Sequence, residues 1–242
     1  MATETTYNYQ VDPQDVDFTL RATIPFLSSS ILNTAGIDAH TKGFGVDALN
    51  ADNYTWVLSR MAIELDRLPK QYDNYSIATW INEYGRLLST RNFTLTDAQN
   101  HEFGRAVTQW CMIDLSARTA VDLSTLAGAH ADAMVDVPSP AEKPRKILNV
   151  NPSQTLIHKV VYSDIDFNRH VNTIRYIEMM FDMLPLELLS AEHTVRMDIH
   201  FLRECRYGQT LTVGYEQRDK VSLFEIRNNE GTSCVRASVL LS

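Results

Sequence analysis

The stretch Arg60-Met61-Ala62-Ile63-Glu64-Leu65-Asp66-Arg67 returns in the second half of the chain as Arg196-Met197-Asp198-Ile199-His200-Phe201-Leu202-Arg203, without a gap and at a constant offset of 136. Tyr75 and Ile77 continue the match as Leu211 and Val213. Apolar and polar side chains alternate in both copies, the period of a half-buried strand. Further β-rich runs follow each copy: Ser76 to Tyr84, Arg91 to Thr96 and Ala106 to Leu115 in the first half, then Leu211 to Tyr215, Val221 to Arg227 and Cys234 to Leu241 in the second. A helical stretch precedes each. Val171, Ile174, Ile177, Phe181 and Leu184 recur at steps of three and four before Pro185, whereas Phe26 to Lys42 is less regular and stops at Gly43. Strands expected over Phe18 to Ile24 and His158 to Asp164 would complete each sheet. The unit is a helix with an antiparallel meander curled around it. Repeated in tandem, it indicates an α+β double hotdog, two antiparallel sheets each wrapped around a helix.

The duplication sets the domain plan: an N-terminal hotdog over residues 1–125, a linker over 126–155 and a C-terminal hotdog over 156–242. The linker reading rests on Pro138, Pro140, Pro144 and Pro152 with Lys143, Arg145 and Lys146 among them. With 242 residues, 44% hydrophobic and 21% charged, the composition is that of a globular chain with a real core. Met1 to Thr19 carries Glu4, Asp12, Asp15 and Asp17 and no basic residue, so neither a secretory signal nor an Arg-rich transit peptide is expected. No apolar run approaches a membrane span. Cys111, Cys205 and Cys234 are too few and too dispersed for a disulfide framework, which fits a reducing cytoplasm. A net charge of −8 with scattered basic residues argues against nucleic-acid binding.

Chemistry concentrates in the second half. Asp166, Asn168 and His170 occupy alternate positions just ahead of the second helix, and Glu204 and Cys205 follow the repeated strand. Carboxylates, an imidazole, an amide and a thiol suffice for general acid/base or nucleophilic work on an acyl ester or thioester. In the first half, Arg21 to Leu27 offers no Asp, Asn or His to match, and the offset partner of Glu204 is Leu68. The first half is thus free to supply an apolar wall for a long substrate. Backbone amides at the helix start, His170 to Asn172, are candidates to stabilise an oxyanion. Strict alternation puts Glu204 with Arg196, Asp198 and His200, opposite Val195, Met197, Ile199 and Phe201. Either a bulge or the strand's end re-aims it, or the face against the helix is the more polar one there.

Each signal also has a structural reading. Asp and Asn ahead of a helix are common caps, a lone Glu in a strand is usually solvated, and a lone Cys is usually inert. His158, His193 and His200 read as surface or sheet histidines. Asp164 beside Asp166 hints at a metal, but no His or Cys stands at ligand spacing, and no metal or cofactor is expected. Trp56, Trp80 and Trp110 read as core residues, and also as candidates to line an acyl cavity.

Asp166, Asn168, His170, Val171, Asn172 and Tyr176, then Arg203, Glu204 and Cys205, and earlier Trp56, Val57, Arg60, Met61, Asp66 and Arg67, together resemble the acyl-acyl carrier protein (acyl-ACP) thioesterases of plastids and bacteria. The resemblance covers nearly the whole chain, departing at Thr173, where the family often has Asn, and at Met179, where it often has an aromatic. It implies a double hotdog fold and release of a free fatty acid from ACP that carries the acyl chain on phosphopantetheine. Asp166, Asn168, His170 and Glu204 would be the catalytic set, with Cys205 and Asn172 supporting. Arg175, Arg203 and Arg206 would be contacts for the acidic carrier protein. Whether Glu204 or Asp166 activates water, or Asp166 attacks directly, stays open. Alternatives are an acyl-CoA thioesterase, a hydratase or dehydratase on a hotdog scaffold, and a noncatalytic acyl-thioester sensor. A tandem duplication fits a monomer as well as a homodimer.

Overall fold

A computed structural model describes residues 3–125 and 134–242, so the 126–133 part of the expected linker lies outside the described residues. The chain divides into two compact units, Met1–Pro144 and Arg145–Ser242. The first runs β1 (Thr5–Gln10), α1 (Ile24–Thr41), α2 (Val46–Ala51), β2 (Tyr54–Leu65), β3 (Asn74–Tyr84), β4 (Ser89–Asp97), β5 (Glu102–Asp114) and β6 (Thr119–Ala120). Its antiparallel strands lie in the order β1-β3-β4-β5-β2, with β6 beside β5.

Helix α1 begins where Thr23 accepts a hydrogen bond from the Phe26 amide and Pro25 presets the first turn. Its sequence pattern is irregular because the buried face mixes Leu27 and Ile31 with Ser28, Ser30, Thr34 and Asp38. The Ser28, Ser30 and Thr34 hydroxyls donate back to carbonyls one turn earlier, at 2.7, 3.2 and 2.8 Å. Sheet residues complete the set. The Tyr75 hydroxyl donates to Ser30 Oγ at 2.9 Å, and the Tyr9 hydroxyl lies 2.7 Å from Thr34 Oγ1. At the far end Asp38 is buried against Arg91 Nη1 at 2.6 Å and Lys42 Nζ at 2.9 Å. Burial alone would raise the Asp38 pKa, but the Arg91 and Lys42 charges outweigh it and hold the carboxyl below its ordinary value.

The second unit runs β7 (Gln154–Lys159), α3 (Thr173–Phe181), α4 (Leu186–Ser190), β8 (Val195–Phe201), β9 (Thr210–Arg218), β10 (Val221–Arg227) and β11 (Ser233–Leu241), with strand order β8-β11-β10-β9-β7. Helix α3 buries Tyr176, Ile177 and Met180, and the Tyr176 ring lies 6.4 Å from that of Phe201. Both units repeat strand, helix and meander. The fold is the α+β double hotdog.

Two expectations shift. Phe18 to Ile24 is not a strand: β1 lies earlier, at Thr5–Gln10, and a 3-10 turn at Pro13–Asp15 and the loop after it lead into α1 at Ile24. The second expected strand is Gln154–Lys159 rather than His158 to Asp164, ending before the 3-10 turn at Tyr162–Asp164. Of the expected linker, 135–137 packs on the first sheet: the Val135 amide donates to Ile81 O, and Val137 O accepts from Trp80 Nε1 at 3.0 Å and Asn82 Nδ2 at 3.3 Å. No helix among the described residues is long and apolar enough to cross a membrane.

Leaving a buried charge uncompensated costs about 3–5 kcal/mol, and because Lys42 still faces Asp38, Arg91→Met should lower the unfolding free energy measured in urea by up to that amount. A carboxylate with a depressed folded-state pKa stabilises above its unfolded value, about 3.9, and that contribution is lost as pH falls through the lower folded value. The stability difference between the parent and Asp38→Asn should therefore be full at pH 7 and shrink below about pH 4.

Candidate active site

The candidate side chains Asp166, Asn168 and His170 sit on a loop that is tied to itself and to the end of β8. Asp166 Oδ1 accepts the amides of Asn168 at 2.8 Å and His170 at 3.1 Å, while the Asp166 amide donates to His170 O at 2.9 Å. This is the turn that an Asp at the first position favours, and Arg169 completes it at φ 63°. The ends of the loop are then fastened. Val171 donates to Cys205 O and Asn172 to Asp164 O, each at 2.8 Å, and the Asn172 side chain caps α3 through the Ile174 amide at 2.8 Å.

Glu204 reaches this loop because β8 loses its alternation at the last moment. The amides of Leu202 and Arg203 both donate to Cys234 O, at 2.8 and 3.1 Å, so two residues face one. The irregularity at the strand's end resolves the parity problem, and Arg206 then pairs with His170 as an isolated bridge. Glu204 Oε2 comes to 3.1 Å from His170 Nε2, with Arg206 Nη2 at 3.8 Å. Both members of the pair keep solvent access, their side chains being 22% (His170) and 38% (Glu204) exposed. Asn168 is exposed at the loop tip.

The other candidates fall into distinct places. Cys205 is fully buried beside Cys234 and Tyr176. A hydrogen bond from Cys234 lowers the Cys205 thiol to about 7 against burial, while burial raises the Tyr176 hydroxyl. Arg203 and Arg206 are exposed. Arg175 turns to Asp164, Nε to Oδ1 at 3.0 Å, and to Glu178. His158 is not a bystander: its Nε2 lies 2.8 Å from Asp164 Oδ2. The expected oxyanion donors are already engaged, His170 by Asp166, Val171 by Cys205 and Asn172 by Asp164. Trp56, Trp80 and Trp110 donate to Phe44 O, Val137 O and Thr108 Oγ1. Trp80 stands on the sheet face opposite Tyr75, Ile77 and Ile81, away from α1. Among the described residues no three His, Cys, Asp or Glu side chains gather as a metal site requires.

Residues 2–125 match the acyl-ACP thioesterase N-terminal domain and residues 149–241 the acyl-ACP thioesterase C-terminal domain. The chain belongs to the acyl-ACP thioesterase family. An acyl-ACP thioesterase from Bacteroides thetaiotaomicron is similar over 99% of this chain and 98% of its own, with TM-score 0.89 and 37% identity. The 12:0-ACP thioesterase from Umbellularia californica shares the fold, with TM-score 0.85 and 17% identity over 99% of this chain and 97% of its own. Among curated relatives, the chloroplastic oleoyl-acyl carrier protein thioesterase of Coriandrum sativum is 25% identical over 81% of this chain and 58% of its own length. The chain spans about half the length of the curated relatives it matches.

In this acyl-ACP thioesterase family member the backbone of the candidate loop exists twice. Asp17 Oδ1 accepts the Thr19 amide at 2.7 Å, the Asp17 amide donates to Arg21 O, Leu20 has φ 59°, and Ala22 donates to Pro69 O at 2.8 Å. Asp17, Thr19 and Arg21 thus stand where Asp166, Asn168 and His170 stand, and Leu68, next to Pro69, stands where Glu204 does. The first half does carry a matching Asp, four residues ahead of the stretch Arg21 to Leu27 where a match was expected. An offset of 136 aligns the strands but 149 aligns the loops, because the first half spends thirteen more residues between loop and strand.

A buried thiol is badly placed to attack. Cys205→Ser should keep kcat/KM within about tenfold of the parent, whereas a loss beyond about 10³-fold would put the sulfur in the chemistry.

Proposed function

We propose that this chain is an acyl-ACP thioesterase that hydrolyses the fatty acyl thioester to free fatty acid and holo-ACP in fatty acid biosynthesis. The observation that carries the reading is the His170 Nε2 to Glu204 Oε2 contact of 3.1 Å, made by a loop and a strand end within a chain of this family. Asp166 commits one carboxylate oxygen to two loop amides, which suits a residue that shapes the site. Glu204 keeps solvent access and stands 3.1 Å from the His170 imidazole, which orients it toward water. Glu204 therefore serves as the base and Asp166 as the support, rather than the nucleophile.

In this mechanism Glu204, held by His170, takes a proton from water as the oxygen attacks the thioester carbonyl. Negative charge develops on the carbonyl oxygen, and with the backbone amides of the loop engaged, the side-chain amide of the exposed Asn168 is the donor that meets it. The C–S bond then breaks, and the proton returns through the Glu204–His170 pair to the departing thiolate. Thioester and water become carboxylic acid and thiol, with no other reactant needed.

The side chains divide labour between the halves. Arg21 and Leu68 replace the imidazole and the carboxylate in the first half, which leaves residues 1–125 to select the acyl chain. Trp56, Trp80 and Trp110 remain the candidates there, Trp80 the weakest for its place on the face away from α1. For the acidic carrier protein, Arg203 and Arg206 are exposed on the segment that holds Glu204, and Arg169 is exposed on the loop tip. Free thiols at Cys111, Cys205 and Cys234 fit a reducing cytoplasm.

Free-thiol release from a panel of acyl-ACP and acyl-CoA substrates tests the reading. The parent should turn over the ACP substrates with the higher kcat/KM, and Glu204→Ala should lose about 10²–10⁴ in kcat. Preference for acyl-CoA would change the substrate class, and tight acyl-thioester binding without thiol release would replace the enzyme with a binding protein.

A further inference from the structure

The two copies of the loop have the same backbone plan but not the same anchor, and the difference isolates a feature found beside the reactive residues alone. Asp164 closes the second loop through its backbone, its carbonyl accepting the Asn172 amide at 2.8 Å. Its counterpart Asp15 does the same for Thr23 at 3.0 Å. Each carboxylate also takes an amide three residues earlier, Val161 at 2.8 Å and Asp12 at 3.1 Å.

There the likeness ends. Asp164 is wholly buried, and its two oxygens receive His158 Nε2 from β7 at 2.8 Å and Arg175 Nε from α3 at 3.0 Å. Asp15 is only half-buried, and the equivalent positions hold Tyr9 and Phe26, with the Tyr9 hydroxyl turned to Thr34. A fully desolvated carboxylate is costly unless it is well paired. The second half carries that cost and the first does not, although both loops close. Closing the loop therefore does not require the His and Arg.

We infer that His158, Asp164 and Arg175 form a positioning clamp for the reactive loop, joining the end of β7 to the first turn of α3 so that Asp166 and His170 are held in register with Glu204. Arg175 is thereby a positioning residue and not a carrier-protein contact. The clamp rests on the proposed roles of Asp166, His170 and Glu204. It touches no substrate. Its effect is on geometry, where a displacement of about 1 Å costs on the order of a hundredfold in rate.

The test is thiol release by His158→Leu and Arg175→Met, each beside its conservative variant, His158→Gln and Arg175→Lys, with Asp15→Asn as the first-half control. Thermal melts run alongside show that each variant is folded at the assay temperature. Expected are kcat values lower by about ten- to hundredfold with KM within about threefold of the parent. Gln and Lys, which still donate to Asp164, should recover part of the loss, and Asp15→Asn should keep kcat within about twofold. Unchanged kcat in both Leu and Met variants overturns the clamp. So does a raised KM at unchanged kcat in Arg175→Met, which would return Arg175 to the carrier-protein surface. Asp166→Ala and Glu204→Ala are measured in the same series: if they retain full activity, the catalytic reading itself falls and the clamp with it. If they lose activity while the clamp variants do not, the clamp alone fails.

Discussion

The hydrogen bond from the Val171 amide to the Cys205 carbonyl, 2.8 Å long, decides what this site can be. It joins the start of α3 to the end of β8, and it makes His170 and Glu204 neighbours although one precedes the helix and the other follows the strand. Such a bond contributes only about 1 kcal/mol net. Its importance is positional. With Val171 fixed, His170 has little choice but to face Glu204, and the bulge at Leu202 and Arg203 turns Glu204 to meet it.

The first half shows that this constraint is older than the chemistry it serves, in the structural sense that the frame stands without it. Ala22 donates to Pro69 as Val171 donates to Cys205, and Leu20 and Arg169 share the same left-handed conformation. Backbone amides and carbonyls make these bonds whatever the side chain, so the loop persists while Thr19, Arg21 and Leu68 replace an amide, an imidazole and a carboxylate. A frame that tolerates such replacement is free to keep reactivity in one half.

How much of this was legible follows from where each partner lies along the chain. The β2 and β8 repeat was plain because Arg60 to Arg67 and Arg196 to Arg203 align without a gap, and the meanders after them carry the same alternation. That Asp166, His170 and Glu204 belong together was legible from their combination, and the structure does bring them to one place. The duplicated loop was not, because a longer helical segment shifts its register by thirteen residues and Asp17 lacks a neighbouring His. The engaged amides of His170, Val171 and Asn172 could not be foreseen: their acceptors are Asp166, Cys205 and Asp164, and two of these are set by tertiary contact. His158 read as a surface or sheet residue, and it does lie in β7, but nothing in strand periodicity reveals that the turn after β7 folds Asp164 back onto it.

A double-mutant cycle on kcat/KM for thioester hydrolysis, with His170→Ala, Glu204→Ala and the two combined, bears most directly on the claim that imidazole and carboxylate act as one unit. Residues that act together are strongly non-additive. The account predicts that the double variant is within about tenfold of the more damaged single variant. Losses that multiply would mean that the two side chains work independently, and the 3.1 Å contact between them would then be incidental to the reaction.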